Sequence, residues 1–184
     1  VLMHEQSERI PLTIAGSDAV RGTIRLVVQE VGKTTMEMGT LHPGDEIQVV
    51  GPLGKPTHIE KFGTVVCIGG GIGVAPVYPI AKALHSEGNR ILSIIGARTA
   101  DLLILENEMA EVSDELLVTT DDGTRGLHGF VTDALSQLYE RGEKRAYEKI
   151  TFARFNLEWL TDGKDRLMRM APVPPQAAKA ERAP

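Results

Sequence analysis

The segment Val65-Val66-Cys67-Ile68-Gly69-Gly70-Gly71-Ile72-Gly73-Val74-Ala75-Pro76 constrains the fold more than any other part of the chain. The apolar run Thr64 to Ile68 predicts a buried strand, the glycines a sharp turn, and Ala75 to Ser86 a helix. A helix start behind such a turn presents unpaired N–H groups and the positive end of its dipole, which suit a diphosphate. In a parallel sheet this place is the carboxyl edge, where ligands bind. The strict dinucleotide fingerprint fails at one position, since Val74 stands where its third glycine would be. No Asp or Glu closes the next strand either, which ends Ile95-Gly96-Ala97-Arg98. The loop therefore points to a nucleotide without saying which, and a tight structural turn is the other reading.

The flanking pattern extends the argument. Arg90 to Gly96 and Glu115 to Thr119 predict two more strands, with helices over Leu103 to Val112 and Phe130 to Arg141. Gly88-Asn89 stops the helix before the second strand. Strands alternating with helices imply a parallel sheet covered by helices. With 184 residues and 42% hydrophobic side chains, the chain has a core to bury and room for one domain or two small ones. Residues Phe62 to Ala81 carry no charge and are numerous enough to span a membrane. Their glycines, Pro76 and Pro79 argue against that reading, because interior Gly costs a helix about 1 kcal/mol and Pro about 3. A net charge of -5 argues against a grip on nucleic acid built from Lys and Arg. The one cysteine, Cys67, excludes an internal disulfide and any cluster held by several cysteines of this chain, and reads as a core thiol. The five histidines lack ligand spacing, so no metal site is expected. A cytoplasmic setting follows as the default.

Ahead of residue 58 the rhythm differs. Residues 9–15, 22–31 and 45–50 are rich in Ile, Val, Leu and Thr and are separated by Gly, Asp and Pro, which predicts antiparallel strands. Lys33 to Leu41 is the one helical segment among them. Gly32-Lys33-Thr34-Thr35 ends like an ATPase phosphate loop, but Val27 occupies the position where that motif needs its first glycine. It holds a phosphate through amides and hydroxyls, or it simply opens a surface helix. Glu106 and Glu108 read as a solvated helix face.

Six motifs occur in order: Arg9-Ile10-Pro11-Leu12-Thr13-Ile14-Ala15, Val31 to Thr35, Gly51-Pro52-Leu53-Gly54, Gly69 to Pro76, Gly96-Ala97-Arg98 and Thr120-Asp121-Asp122-Gly123. Together they resemble the ferredoxin–NADP reductase superfamily. Within it they look most like electron-transfer subunits of dihydroorotate dehydrogenase and small subunits of NADH-dependent ferredoxin:NADP oxidoreductase. The resemblance covers about residues 1–142. It implies a partial, antiparallel FAD-binding β barrel (1–58) followed by an α/β parallel-sheet NAD(P)-binding domain (59–142), a ferredoxin reductase-like fold. Arg9, Pro11, Leu12 and Thr13 would lie along the flavin, with Thr13 the side chain best placed beside it. Gly32, Lys33, Thr34 and Thr35 would hold its diphosphate. Gly69, Gly70, Gly71, Ile72, Gly73 and Pro76 would hold NAD(P)H. Arg98 meets a ribose or phosphate or is a surface arginine, and Asp121 and Asp122 face the nucleotide or are turn residues. No side chain is assigned as a catalytic acid or base.

The implied activity is that of an electron-transfer flavoprotein subunit. A hydride passes from NAD(P)H to FAD, and electrons move on to a larger catalytic or electron-accepting subunit. The alternative is a nucleotide- or partner-binding remnant without redox activity. Relatives in this family start several strands earlier, and after residue 142 they continue with a strand and a cysteine-rich [2Fe-2S] segment. Residues 143–184 match neither, and Tyr147, Phe152, Phe155 and Trp159 crowd into them. The expectation is a truncated chain with a divergent tail, without that cluster, and disordered from Ala171 to Pro184.

Overall fold

The computed structural model describes residues 8–141 and the backbone of Asn156–Thr161 and Arg166–Ala171. The chain divides into two compact units, Val1–Thr151 and Phe152–Pro184.

The first unit opens with an antiparallel hairpin, β1 (Ile14–Asp18) and β2 (Thr23–Leu26), and the short helix α1 (Lys33–Gly39). Asp18 turns the hairpin, its carboxylate accepting from the Val20 and Arg21 amides at 2.9 and 3.0 Å. Thereafter the chain alternates: β3 (Thr64–Gly70), α2 (Val74–Ser86), β4 (Arg90–Ala97), α3 (Glu106–Glu111), β5 (Glu115–Thr120), β6 (Leu127–His128) and α4 (Val131–Glu140). The four strands form one parallel sheet in the order β3-β4-β5-β6.

Alternation along the strands divides the core. Val65, Cys67, Ile91 and Ile95 pack with Val77, Ala81 and Leu84 of α2 and Met109 of α3. Val66, Leu92 and Ile94 pack on the other face with Ala134 and Leu138 of α4. A strand buried on both faces must read as continuous hydrophobicity, and β3 and β4 do so. Gly88, at φ 78°, ends α2 as expected. Its amide donates to His85 O and that of Asn89 to Leu84 O, the paired closure that a left-handed glycine permits.

Three expectations are corrected. Residues 9–15 and 22–31 contribute strand only at Ile14–Asp18 and Thr23–Leu26, and 45–50 yield only an isolated bridge at Gln48. Strand-forming residues need a neighbouring edge and a face to bury. Val49 and Val50 find neither here and stay exposed. The helix predicted from Leu103 starts at Glu106, because Leu105 sits in the left-handed region at φ 55°. Ala100–Leu102, ahead of it, form a separate short turn.

The second unit is described by its antiparallel hairpin, β7 (Asn156–Thr161) and β8 (Arg166–Ala171), paired from Asn156↔Ala171 to Thr161↔Arg166. The disorder expected beyond Ala171 and the segment around Tyr147 lie outside the described residues.

Candidate functional site

At the carboxyl edge of β3 the glycines divide into two kinds. Gly69 is buried, and a Cβ there would stand 2.8 Å from Val74 Cα and 3.0 Å from Val74 N, both backbone atoms of α2. Its missing side chain is what lets the strand lie against the helix. Around Gly70, Gly71 and Gly73 a Cβ would meet nothing within 4 Å. These three leave an open cradle, and Gly71 is held at φ 52° to shape it. Ile72 is exposed on the same turn, while Pro76 sits in the first turn of α2, where a missing N–H costs nothing. No side chain caps α2, so its positive end faces the cradle uncompensated. Gly96, on β4, is a packing glycine like Gly69: a Cβ would collide with Thr119 Oγ1 and with Val131 Cγ1.

Beside the cradle, the ends of β4 and β5 are joined beyond the sheet proper. The Asp121 amide donates to Ala97 O at 3.1 Å and the Asp122 amide to Arg98 O at 3.2 Å. Arg98 and Asp121 therefore stand on neighbouring strand ends of one edge. Arg98 is exposed, and among the described residues its guanidinium has no hydrogen-bond or ion-pair partner. Asp122 is a turn residue in this structure. Its Oδ1 accepts from the Thr124 amide at 3.0 Å and the Thr124 hydroxyl at 2.6 Å, and these bonds hold its carboxyl below the usual range.

In the N-terminal part, the Thr35 hydroxyl serves its own helix. It accepts from the Val31 and Gly32 amides at 3.1 and 2.9 Å and donates to Gly32 O at 2.9 Å. Thr34 is buried and its hydroxyl donates to Glu8 O at 3.5 Å, which brings the Arg9 segment to the Gly32 turn. Lys33 is exposed, as are Arg9, Pro11 and Thr13, with Leu12 half-buried. Arg9 to Thr13 lie ahead of β1 rather than within a strand. β1, whose Ala15 is fully buried, packs against α2, so the segment after Thr13 and the helix behind the glycine cradle belong to one packed body.

Several side-chain contacts escape the sequence patterns. Glu106 and Glu108 are not a free solvated face: Glu106 pairs with Arg125 at 2.6 Å and Glu108 with Arg25 at 3.1 Å. Thr124 and Arg125 carry no signal beyond the Asp-x-Thr turn pattern. Cys67 is a core thiol as expected, and burial pushes it up to about 12. The native thiol should therefore resist a disulfide reagent at pH 8, with one thiol per chain released on unfolding. The sign follows from the raised value. The fold favours the neutral thiol, so this contribution is complete below about pH 9 and is lost as pH climbs through about 12. Alkaline denaturation of Cys67→Ala should lack that component. Among the described residues no cluster of three or more His, Cys, Asp or Glu is placed to hold a metal, and no helix is long and apolar enough to cross a membrane.

No family model matches the chain. It is 52% identical, over 140 residues, to a dihydroorotate dehydrogenase B (NAD(+)) electron transfer subunit homolog of Thermotoga maritima, covering 76% of this chain and 49% of that protein. A dihydroorotate dehydrogenase B (NAD(+)) electron transfer subunit of Bacillus cereus is 34% identical over 130 residues, covering 69% of this chain and 50% of the relative. A solved structure of an NADH-dependent reduced ferredoxin–NADP oxidoreductase, described for flavin-based electron bifurcation, superposes with a TM-score of 0.71 at 51% identity. That match covers 76% of this chain and 50% of the solved one. The chain thus spans about half the length of the relatives it matches.

Proposed function

We propose, because the chain belongs to the ferredoxin–NADP reductase superfamily, that it is the electron-transfer part of a flavoprotein oxidoreductase that takes reducing equivalents from NAD(P)H. The observation that carries this reading is the open cradle of Gly70, Gly71 and Gly73 at the uncapped start of α2. Backbone amides and a helix dipole suit a diphosphate there, and the absence of three Cβ atoms lets it come close. Arg98 and Asp121 would receive the ribose side from the neighbouring strand ends. The exposed Lys33 ammonium would meet a second diphosphate, that of FAD, at the Gly32 turn that Thr34 and Thr35 hold, with Arg9, Pro11, Leu12 and Thr13 alongside its ring. A bound flavin supplies the exchange between two-electron and one-electron chemistry; the protein positions it and keeps water out. On this reading the acceptor is a larger catalytic or electron-accepting subunit, and the setting is cytoplasmic.

A second reading has its own observation. The Thr35 hydroxyl and the Val31 and Gly32 amides already satisfy one another, and residues 45–50 form no ladder. The flavin half is thus less fully built than the nucleotide half, as in a nucleotide-binding remnant without redox activity. Anaerobic titration separates the two. A purified protein with a flavin absorption band that bleaches on adding NADH or NADPH supports the oxidoreductase. A colourless protein that binds ADP-ribose supports the remnant, and one that binds neither overturns both.

A further inference from the structure

The loop after β4, which carries Arg98, is held from one side at three backbone points. Ala97 O and Arg98 O accept from the Asp121 and Asp122 amides, and the Ala100 amide donates to the Thr124 hydroxyl oxygen at 3.0 Å. Thr124 is the only one of these holders that acts through a side chain, and its hydroxyl is used twice. It accepts from Ala100 and donates to Asp122 Oδ1 at 2.6 Å. A second strut lies next to it in sequence, where the Arg125 guanidinium reaches Glu106 Oε1 at 2.6 Å, beyond the same loop. The consequence is a splint. Residues 121–125 fix residues 97–106, and the guanidinium of Arg98 stands on the fixed stretch with no partner among the described residues.

We infer that Thr124 is a positioning residue for Arg98, and that through it Thr124 sets affinity for the adenosine half of a dinucleotide. The inference rests on the nucleotide reading of the carboxyl edge. In such sites the diphosphate lies on the loop after the first strand and the adenosine ribose at the end of the second. Here those places are Gly70–Gly73 and Arg98. An unpartnered cation on a long side chain gains affinity only if little of its freedom remains to be lost on binding. Thr124 supplies that restraint at the backbone.

The test is a double-mutant cycle on the 184-residue chain, read by calorimetric binding of ADP-ribose and of nicotinamide mononucleotide. Thr124→Val keeps the shape of the side chain and removes both hydrogen bonds. It should weaken ADP-ribose about tenfold, the scale of one or two hydrogen bonds, and leave nicotinamide mononucleotide unchanged. Thr124→Ser should restore the parent affinity. In an Arg98→Gln background, Thr124→Val should cause no further loss. An equal loss in that background, or equal weakening of both ligands, would assign Thr124 a merely structural role and overturn the inference. Parent protein that melts normally yet binds no ADP-ribose would overturn the nucleotide reading itself, which the cycle then shows directly.

Discussion

Gly70→Ala should fold as well as the parent and lose affinity for ADP-ribose, whereas Gly69→Ala should destabilise the fold. The two positions are adjacent and chemically identical, so only their surroundings separate them. At Gly70 the backbone is ordinary extended chain, φ -113° and ψ 134°, and nothing lies within 4 Å of the added Cβ. The substitution costs no contact, and by restricting the unfolded chain it should hold or raise stability by up to ~1 kcal/mol. The same methyl group projects into the cradle. There it should weaken ADP-ribose binding by about 2–3 kcal/mol, roughly a hundredfold, by pushing the diphosphate off the amides. At Gly69 the added methyl meets the Val74 backbone at 2.8 and 3.0 Å. A backbone inside a helix cannot step aside as a side chain tip can. β3 and α2 must separate, at a cost of about 3 kcal/mol or more. At ~2–4 °C per kcal/mol for a chain of this size, the midpoint should fall by roughly 10 °C. Thermal melts paired with calorimetry distinguish the outcomes. Equal loss of stability in both variants would mean that the cradle is not open in solution. Parent-like binding in Gly70→Ala would mean that no diphosphate lies there.

The division between these glycines also marks what a sequence can disclose. An uncharged run into glycines and then a helix announces β3, the turn and α2, because a strand covered on both faces has no alternative composition. β4, β5 and α4 follow from the same logic and appear within a residue or two of their expected ends. Which glycine lies against neighbouring backbone and which lies open is set by the angle between strand and helix, and no local pattern carries that angle. The antiparallel part is harder for a different reason. Val49 and Val50 have the right side chains for a strand, yet strand residues express that preference only beside a partner, and only β1 and β2 supply one another here. β6 is too short to announce itself, since Leu127 and His128 are strand only because Thr119 and Thr120 lie beside them. Glu106, Glu108, Thr124 and Arg125 read along the chain as side chains facing water. Their partners lie across the fold, so their roles as struts emerge only with coordinates.

Asn89 shows the same gap most sharply, and its removal should be the most damaging single change away from the cradle. In the sequence it is half of a Gly-Asn stop signal. In the structure it is 4% exposed and saturated with hydrogen bonds. Its Oδ1 accepts from the Phe62 and Gly63 amides at 2.6 and 3.0 Å, and its Nδ2 donates to Glu60 O and Leu84 O at 2.9 and 2.8 Å. An amide side chain can offer two donors and two lone pairs, and here every one is used. Those partners come from the chain entering β3 and from the end of α2, while Asn89 itself precedes β4. The Arg90 amide donates to Gly63 O beside it. One side chain thereby fixes the level at which two parallel strands begin, Thr64 opposite Arg90, and so the level at which Gly70 emerges opposite Gly96 at the far end. Asn89→Ala removes the side-chain partner of the Phe62 and Gly63 amides and of Glu60 O, and one of the two donors to Leu84 O. With unpaired buried groups costing about 1–3 kcal/mol each and some relieved by entering water, the loss should come to about 3–5 kcal/mol. That is a large share of the ~5–15 kcal/mol that holds a typical domain folded. Urea unfolding should show a lower midpoint with an unchanged slope, since the same surface is exposed in either protein. Hydrogen exchange should localise the damage, with amides at the start of β3 and β4 losing protection before those of α4. A midpoint within the error of the parent would mean that the sheet register is fixed by core packing alone, with the asparagine only filling space.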